Sequence, residues 1–255
     1  MPYMQVNDIS MYYEETGDPK AVPFVLMHGA AGSIDAPESG WAGLAPLFAT
    51  RYRAIQVEHR GHGRTDNPAG ALTYAMIADD VSAFIERLGL GPAHIGGVSD
   101  GGIAALHIGM TRPDLARALV TVGPNYVNDD LVREANRFAE ISQYDADPAL
   151  AEDMARRHDR NKVPGHWRDL LRQLRENLAV NPAYTVEELA RIPNPTLLMA
   201  GEDDLWGNID QMVTMRRGIP HAELLIVNRG QHTIQYSHPW IVGPTVMEFL
   251  ARHER

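Results

Sequence analysis

A chain of 255 residues that is 44% hydrophobic and 22% charged is long enough for one large α/β domain or two small ones, with a sizeable core. Its net charge of −10 argues against binding nucleic acid or an anionic membrane through a general basic field, yet is too modest to indicate disorder. The absence of cysteine excludes disulfides, thiolate catalysis and cysteine metal sites.

Residues 3–6 and 9–15 read as two short strands about the turn pair Asn7-Asp8. Residues 1–10 show neither the basic nor the apolar region of a secretion signal, and no apolar run approaches the ~20 residues of a membrane span. The expectation is a cytoplasmic protein with no membrane partner. An apolar run at 22–27 ends in His28-Gly29, and 40–49 is predicted helical, with Trp41, Leu44, Leu47 and Phe48 on one face. A strand at 53–57 leads into the polar loop Glu58-His59-Arg60-Gly61-His62-Gly63-Arg64. The clearest helix spans 73–88, where Ile77, Val81, Phe84, Ile85 and Leu88 recur at helical spacing between a Thr73 cap and a closing Gly89. A strand at 93–98 is followed by a compact apolar helix that stops near Pro113, then by a strand at 118–122.

From about 128 to 191 strand signals vanish, leaving helical patterns separated by Pro148, Pro164 and Pro182. Trp167, Leu170, Leu171, Leu174 and Leu178 form an apolar stripe there. Arg168, Arg172 and Arg175 point largely away from it, a basic face that reads as solvated or as anion-binding. Strand rhythm resumes at 196–200, which ends in Gly201-Glu202-Asp203-Asp204. A helix at 211–217, a last strand at 223–227 and a closing helix at 239–252 follow. Strands alternating with helices imply a mostly parallel sheet covered on both faces. The expected organisation is a core of residues 1–124 and 192–255 with a helical cap, 125–191, inserted in it.

Gly97-Val98-Ser99-Asp100-Gly101 has the spacing of a nucleophile elbow, in which a serine is pushed to the tip of a strand-to-helix turn. Residues two places either side must lack side chains, because strand and helix pass closely there. The apolar strand before and the helix after supply that context. A serine needs a base near neutral pH. His232, in the loop after the last strand, is the best placed of eleven histidines, with His62, His59 and His94 as runners-up on or near earlier strands. The base needs an acid to fix its tautomer. Asp204, closing the turn after the preceding strand, is favoured over its neighbour Asp203. The chain order Ser99, Asp204, His232 then matches that of the α/β-hydrolase architecture.

His28-Gly29, Arg60-Gly61-His62-Gly63, Gly97-Val98-Ser99-Asp100-Gly101-Gly102, Gly201-Glu202-Asp203-Asp204 and Gly230-Gln231-His232 together resemble the α/β-hydrolase family over nearly the whole chain. The resemblance implies an α/β fold with a sheet of about eight strands, a Ser99-Asp204-His232 catalytic triad, and a cap over the site. It also implies an oxyanion hole from the backbone N–H groups of Ala30 and Asp100. The expected activity is hydrolysis of a small-molecule carboxylic ester or lactone, with no metal or organic cofactor. His28, Gly29, Trp206 and Tyr126 are candidates to line the substrate pocket. A serine nucleophile argues against the dehalogenase and epoxide-hydrolase branches, which resemble this scaffold with an aspartate in its place. Three alternatives stay open: cleavage of a C–C bond in vinylogous keto acids, a cofactor-free perhydrolase or haloperoxidase, and a non-catalytic ligand-binding member. Two departures stand out. Asp100 follows the nucleophile where many relatives carry an uncharged residue; it reads as a helix-favouring acid or as a carboxylate selecting cationic or amino-bearing esters. Trp206 stands where relatives often have proline, and lines the acyl pocket or merely packs.

Overall fold

The computed structural model describes residues 3–254. Eight strands form one sheet: β1 (Tyr3–Val6), β2 (Ile9–Thr16), β3 (Pro23–Met27), β4 (Arg53–Val57), β5 (Ala93–Val98), β6 (Ala116–Val122), β7 (Thr196–Gly201) and β8 (Ala222–Val227). Their order is β1-β2-β4-β3-β5-β6-β7-β8. β1 with β2 and β2 with β4 pair antiparallel, and every other pairing is parallel. β5 is buried along its entire length, as a strand covered on both faces must be, which is why it reads as an unbroken apolar run.

The helices are α1 (Ala45–Phe48), α2 (Tyr74–Arg87), α3 (Asp100–Thr111), α4 (Asp130–Ala135), α5 (Ile141–Ala146), α6 (Pro148–His158), α7 (His166–Val180), α8 (Val186–Leu189), α9 (Ile209–Gly218), α10 (Ile234–Ser237) and α11 (Pro239–Arg252). α2 forms as expected. The Thr73 side chain accepts from the Met76 amide at 3.1 Å, and Ile77, Val81, Phe84 and Ile85 turn one face into the core. Two apolar clusters sandwich the sheet. One includes the buried faces of α2 and α3; the other is built from Trp41 and Phe48 on one side of the chain and Val246, Phe249 and Leu250 of α11 on the other.

The predicted helix at 40–49 shrinks to Ala45–Phe48. Gly40 and Gly43 weaken helix there, and Trp41 is held by its indole N–H, which donates to the Met27 carbonyl at 3.0 Å. Tertiary packing of one aromatic overrides the apolar periodicity. α4 to α8 all fall between β6 and β7, where the sequence shows no strand rhythm. In α7 the stripe Trp167, Leu170, Leu171, Leu174 and Leu178 is buried, while Arg168, Arg172 and Arg175 are exposed.

The sheet order reverses direction at β3, with β4 on one side and β5 on the other. In such sheets the crevice beyond the carboxyl ends at this switch is where ligands are received. His28-Gly29 leaves β3 and Ser99 leaves β5 at that crevice.

Candidate active site

Ser99 sits at φ 52°, ψ −117°, between the last residue of β5 and the first of α3. Few L residues adopt that backbone unless the surroundings enforce it. They do so here: the Ser99 amide donates to the Val122 carbonyl at 2.7 Å, and its carbonyl accepts from Ile103 at 2.9 Å. A Cβ on Gly97 would lie 2.0 Å from the Gly101 carbonyl oxygen, and one on Gly101 would lie 2.6 Å from that of His28. The glycine spacing read from the sequence is therefore a steric requirement of this turn.

Asp204 and His232 meet from the loops after β7 and β8. The imidazole Nδ1 lies 2.9 and 3.0 Å from the two carboxylate oxygens. The Asp204 side chain is fully buried, and its Oδ1 also accepts from the amides of Trp206 at 2.9 Å and Gly207 at 3.1 Å. With three donors the carboxylate is fixed in place, and it holds the proton of a neutral imidazole on Nδ1, leaving the Nε2 lone pair free. Gly123, at φ +61°, makes room for the pair: a Cβ there would come within 2.8 Å of both Asp204 Oδ2 and His232 Nδ1. Asp203, the rival acid, faces solvent from the same turn.

Ser99 and His232 line one cavity of about 180 Å³, together with Gly29, Ala30, Asp100 and Trp206. Ser99 and His232 are not hydrogen-bonded to each other; a nucleophile–base contact of this kind can tighten as substrate binds. Among the described residues, the amides of Ala30 and Asp100 have no protein acceptor. Asp100 is the first residue of α3, where an amide has no intrahelical partner and the helix dipole favours negative charge. Two unused donors thus border the cavity beside the serine.

The other candidates fall elsewhere. His28 does not line the cavity. It is buried beneath it, with Nδ1 donating to the Gly29 carbonyl at 2.7 Å and Nε2 accepting from the His59 amide at 3.1 Å. Tyr126 does not line it either. Its backbone is pinned between Gln211 and Tyr184, and its ring packs against the core. Both miss for one reason: adjacency in sequence to a strand end does not fix where a side chain points. One ring nitrogen from each of His28, His59 and His62 lies within 4.8 Å of the other two, near enough to suggest a metal site. Both nitrogens of His28 are already engaged with backbone groups, so it offers no lone pair and the trio does not make a three-ligand set. His94 lies in β5 against Phe24 and Tyr52, well inside the core. Burial pushes its imidazole down to about 4.

Nothing in the sequence points to Asn136, Phe138 and Leu178 as cavity residues, yet they line it from the helical insert. Asn136 Oδ1 accepts from the Trp206 indole N–H at 3.0 Å. The spacing of an amphipathic helix shows which face is apolar, not which residue reaches a site on another element. Glu38 and Asp100 are the only acidic residues on the wall, and no lysine or arginine lies there among the described residues. Burial pushes the Asp100 carboxyl up to about 6; Tyr74 donates to its Oδ1 at 3.1 Å, while Oδ2 is buried without a partner.

Comparison with known proteins agrees with this architecture. The sequence model of the alpha/beta hydrolase family matches residues 24–241. A 2-hydroxy-6-oxononadienedioate/2-hydroxy-6-oxononatrienedioate hydrolase of Cupriavidus pinatubonensis is 28% identical, over 89% of this chain and 86% of that protein. A putative carbamate hydrolase, RutD, of Azorhizobium caulinodans is 24% identical over 98% of each. Among solved structures, a thermophilic esterase from Thermogutta terrifontis superposes with a TM-score of 0.79 at 22% identity, covering 99% of this chain and 98% of that one. An enol-lactonase from Burkholderia xenovorans LB400 superposes with a TM-score of 0.76 at 18% identity, covering 98% and 100%. An eight-stranded, mostly parallel sheet, a serine in a glycine-flanked elbow and a match over most of the length lead to one conclusion: the chain belongs to the alpha/beta hydrolase family.

Proposed function

We propose that this hydrolase cleaves a carboxylic ester or lactone through an acyl-enzyme on Ser99, and that its preferred acyl group is neutral or positively charged. The observation that carries the reading is the Asp204–His232 pair at 2.9 Å, its imidazole on the wall of the cavity that also holds Ser99. Ser99 Oγ attacks the carbonyl carbon as His232 Nε2 takes its proton. The oxyanion is received by the amides of Ala30 and Asp100. The C–O bond breaks and His232 returns the proton to the leaving alcohol. Water, deprotonated by His232, then attacks the acyl carbon and releases the acid and Ser99. The helical insert acts as a cap, closing the cavity with Asn136, Phe138 and Leu178.

One relative is named for a dioate, and the same triad suits C–C cleavage of keto acids. The charge of the cavity wall weighs against that reading here. A dianionic substrate would meet Asp100 and Glu38 on the wall and no lysine or arginine among the described lining residues; Arg157 of the insert is bonded to Glu38, and on the exposed face of α7 Arg168 pairs with Asp145 and Arg172 with Glu176.

A matched set of p-nitrophenyl esters with neutral, anionic and ammonium-bearing acyl groups, with lactones and a vinylogous keto diacid beside them, tests both parts. Expected are turnover of the neutral esters, covalent labelling of Ser99 by an organophosphonate, and kcat/KM for the ammonium ester at least about tenfold above that of the anionic one. That ratio should grow between pH 5 and 7 as Asp100 ionises near 6, and Asp100→Asn should shrink it. Turnover of the keto diacid without the esters would overturn the reading; a flat ratio would remove the acyl-charge part alone.

A further inference from the structure

Trp206 touches both halves of the base. Its backbone amide donates to Asp204 Oδ1 at 2.9 Å. Its indole lies against the imidazole of His232, with ring centroids 4.5 Å apart and planes tilted by 42°. The far edge of the indole is held by the insert: Nε1 donates to Asn136 Oδ1 at 3.0 Å, and the ring of Phe138 meets it edge-on at 6.1 Å. The indole therefore has little freedom to turn away from His232.

We propose that Trp206 is a positioning residue for His232: its π face fixes the imidazole and favours the imidazolium formed when the Ser99 proton is taken, and Asn136 carries that setting from the insert. This rests on the acyl-enzyme reading above. The face of an indole attracts a cation more strongly than any other side-chain ring, and the attraction grows in a partly desolvated site. A neutral imidazole receives much less of it. The contact is thus stronger in the transition state, where the imidazole is charged, than in the resting enzyme, which is the condition for accelerating the chemical step. The other charged groups around His232 are Asp204, bonded to it, Asp100 and Glu38 on the cavity wall, Arg157 of α6, which pairs with Glu38, and Asp203 facing solvent on the turn of Asp204. A substitution of the Trp206 side chain leaves all five in place. It also keeps the amide that bonds Asp204.

Two measurements test this. First, the pH profile of kcat/KM on a neutral ester is compared for wild type, Trp206→Phe and Trp206→Leu. Expected for Trp206→Leu is a fall of about 3- to 30-fold on the plateau, carried by kcat rather than KM, with the acidic limb displaced toward lower pH; Trp206→Phe should recover much of both. A mere packing role would lower the plateau without moving the limb in that direction. An unmoved limb, or one displaced toward higher pH, overturns the proposal. Second, because an imidazolium quenches indole emission, the Trp206 signal, taken as wild type minus Trp206→Phe, should drop on acidification with the midpoint of the kinetic limb. The drop should vanish in His232→Gln. This readout needs no turnover, so a chain that hydrolyses no ester but shows the titration refutes the reaction and not the contact. A signal indifferent to His232→Gln refutes the contact itself.

Discussion

His232 and the histidines His28, His59, His62 and His158 sit at the same rim of one sheet, yet their surroundings make them different chemical groups. His232 keeps 17% of its side chain exposed, on a cavity, with a buried carboxylate bonded to Nδ1. The other four are buried, and none is bonded to a carboxylate. Burial pushes the imidazoles of His28, His59 and His62 down and takes that of His158 to about 3. His158, at the end of α6, joins the insert to the core as a neutral ring: Nδ1 accepts from the Gly63 amide and Nε2 donates to the Ala31 carbonyl, each at 3.0 Å. A carboxylate plus an opening gives one histidine the surroundings a base needs, while burial without a counter-charge makes mortar of the rest.

Four experiments sharpen or break that contrast. The largest effect is expected at Ser99, the proposed nucleophile. Ser99→Ala should lower kcat by about 10⁴–10⁶ with the fold unchanged by circular dichroism, and wild-type turnover in this variant would break the assignment outright. Next comes Asp204→Asn, where the amide presents a donor to Nδ1 and favours the wrong tautomer; a loss of about 10⁴ in kcat is expected at neutral pH. If the loss is less than tenfold, the carboxylate does not orient the base.

The third concerns the buried histidines. The unfolded chain binds protons at these rings near pH 6.5 and the folded chain does not. Their contribution to stability is therefore complete above about 6.5 and is lost as pH falls toward 3, on the order of 5 kcal/mol for His158 alone. Urea midpoints should decline steeply over that range, and His158→Gln, which keeps a donor and an acceptor, should decline less. Equal slopes would mean that His158 takes up its proton without unfolding. The smallest effect is expected for Gly123→Ala, whose methyl group would press on the Asp204–His232 pair. A fall of about 10- to 100-fold in kcat/KM follows from displacing the imidazole, with KM little changed. Full activity would show that the loop yields.

The elbow, the acid and the histidine of the candidate site could be singled out because they carry local steric or positional signatures. The elbow is legible because Gly97 and Gly101 are forced by contacts within a few residues of Ser99. Asp204 and His232 are legible because the carboxyl ends of parallel strands are where such sheets receive ligands. The helix at 40–49 was overstated because Trp41 answers to the Met27 carbonyl and not to its neighbours. His28 and Tyr126, candidates for the pocket wall, are not legible in this way: nothing local to either says where its side chain goes, and the structure buries one and pins the backbone of the other.

Sequence alone determined the strand–helix rhythm and the elbow, which depend on local periodicity and on the side-chain volume a tight turn admits, and it singled out Ser99, Asp204 and His232 as candidates by their places at strand ends. Tertiary structure alone decided which histidines burial holds neutral, that no lysine or arginine is among the described residues lining the cavity, and that Trp206 is clasped between Asn136 and His232. Those properties depend on burial and on distances between residues far apart in the chain, and neither is encoded in the spacing of any one segment.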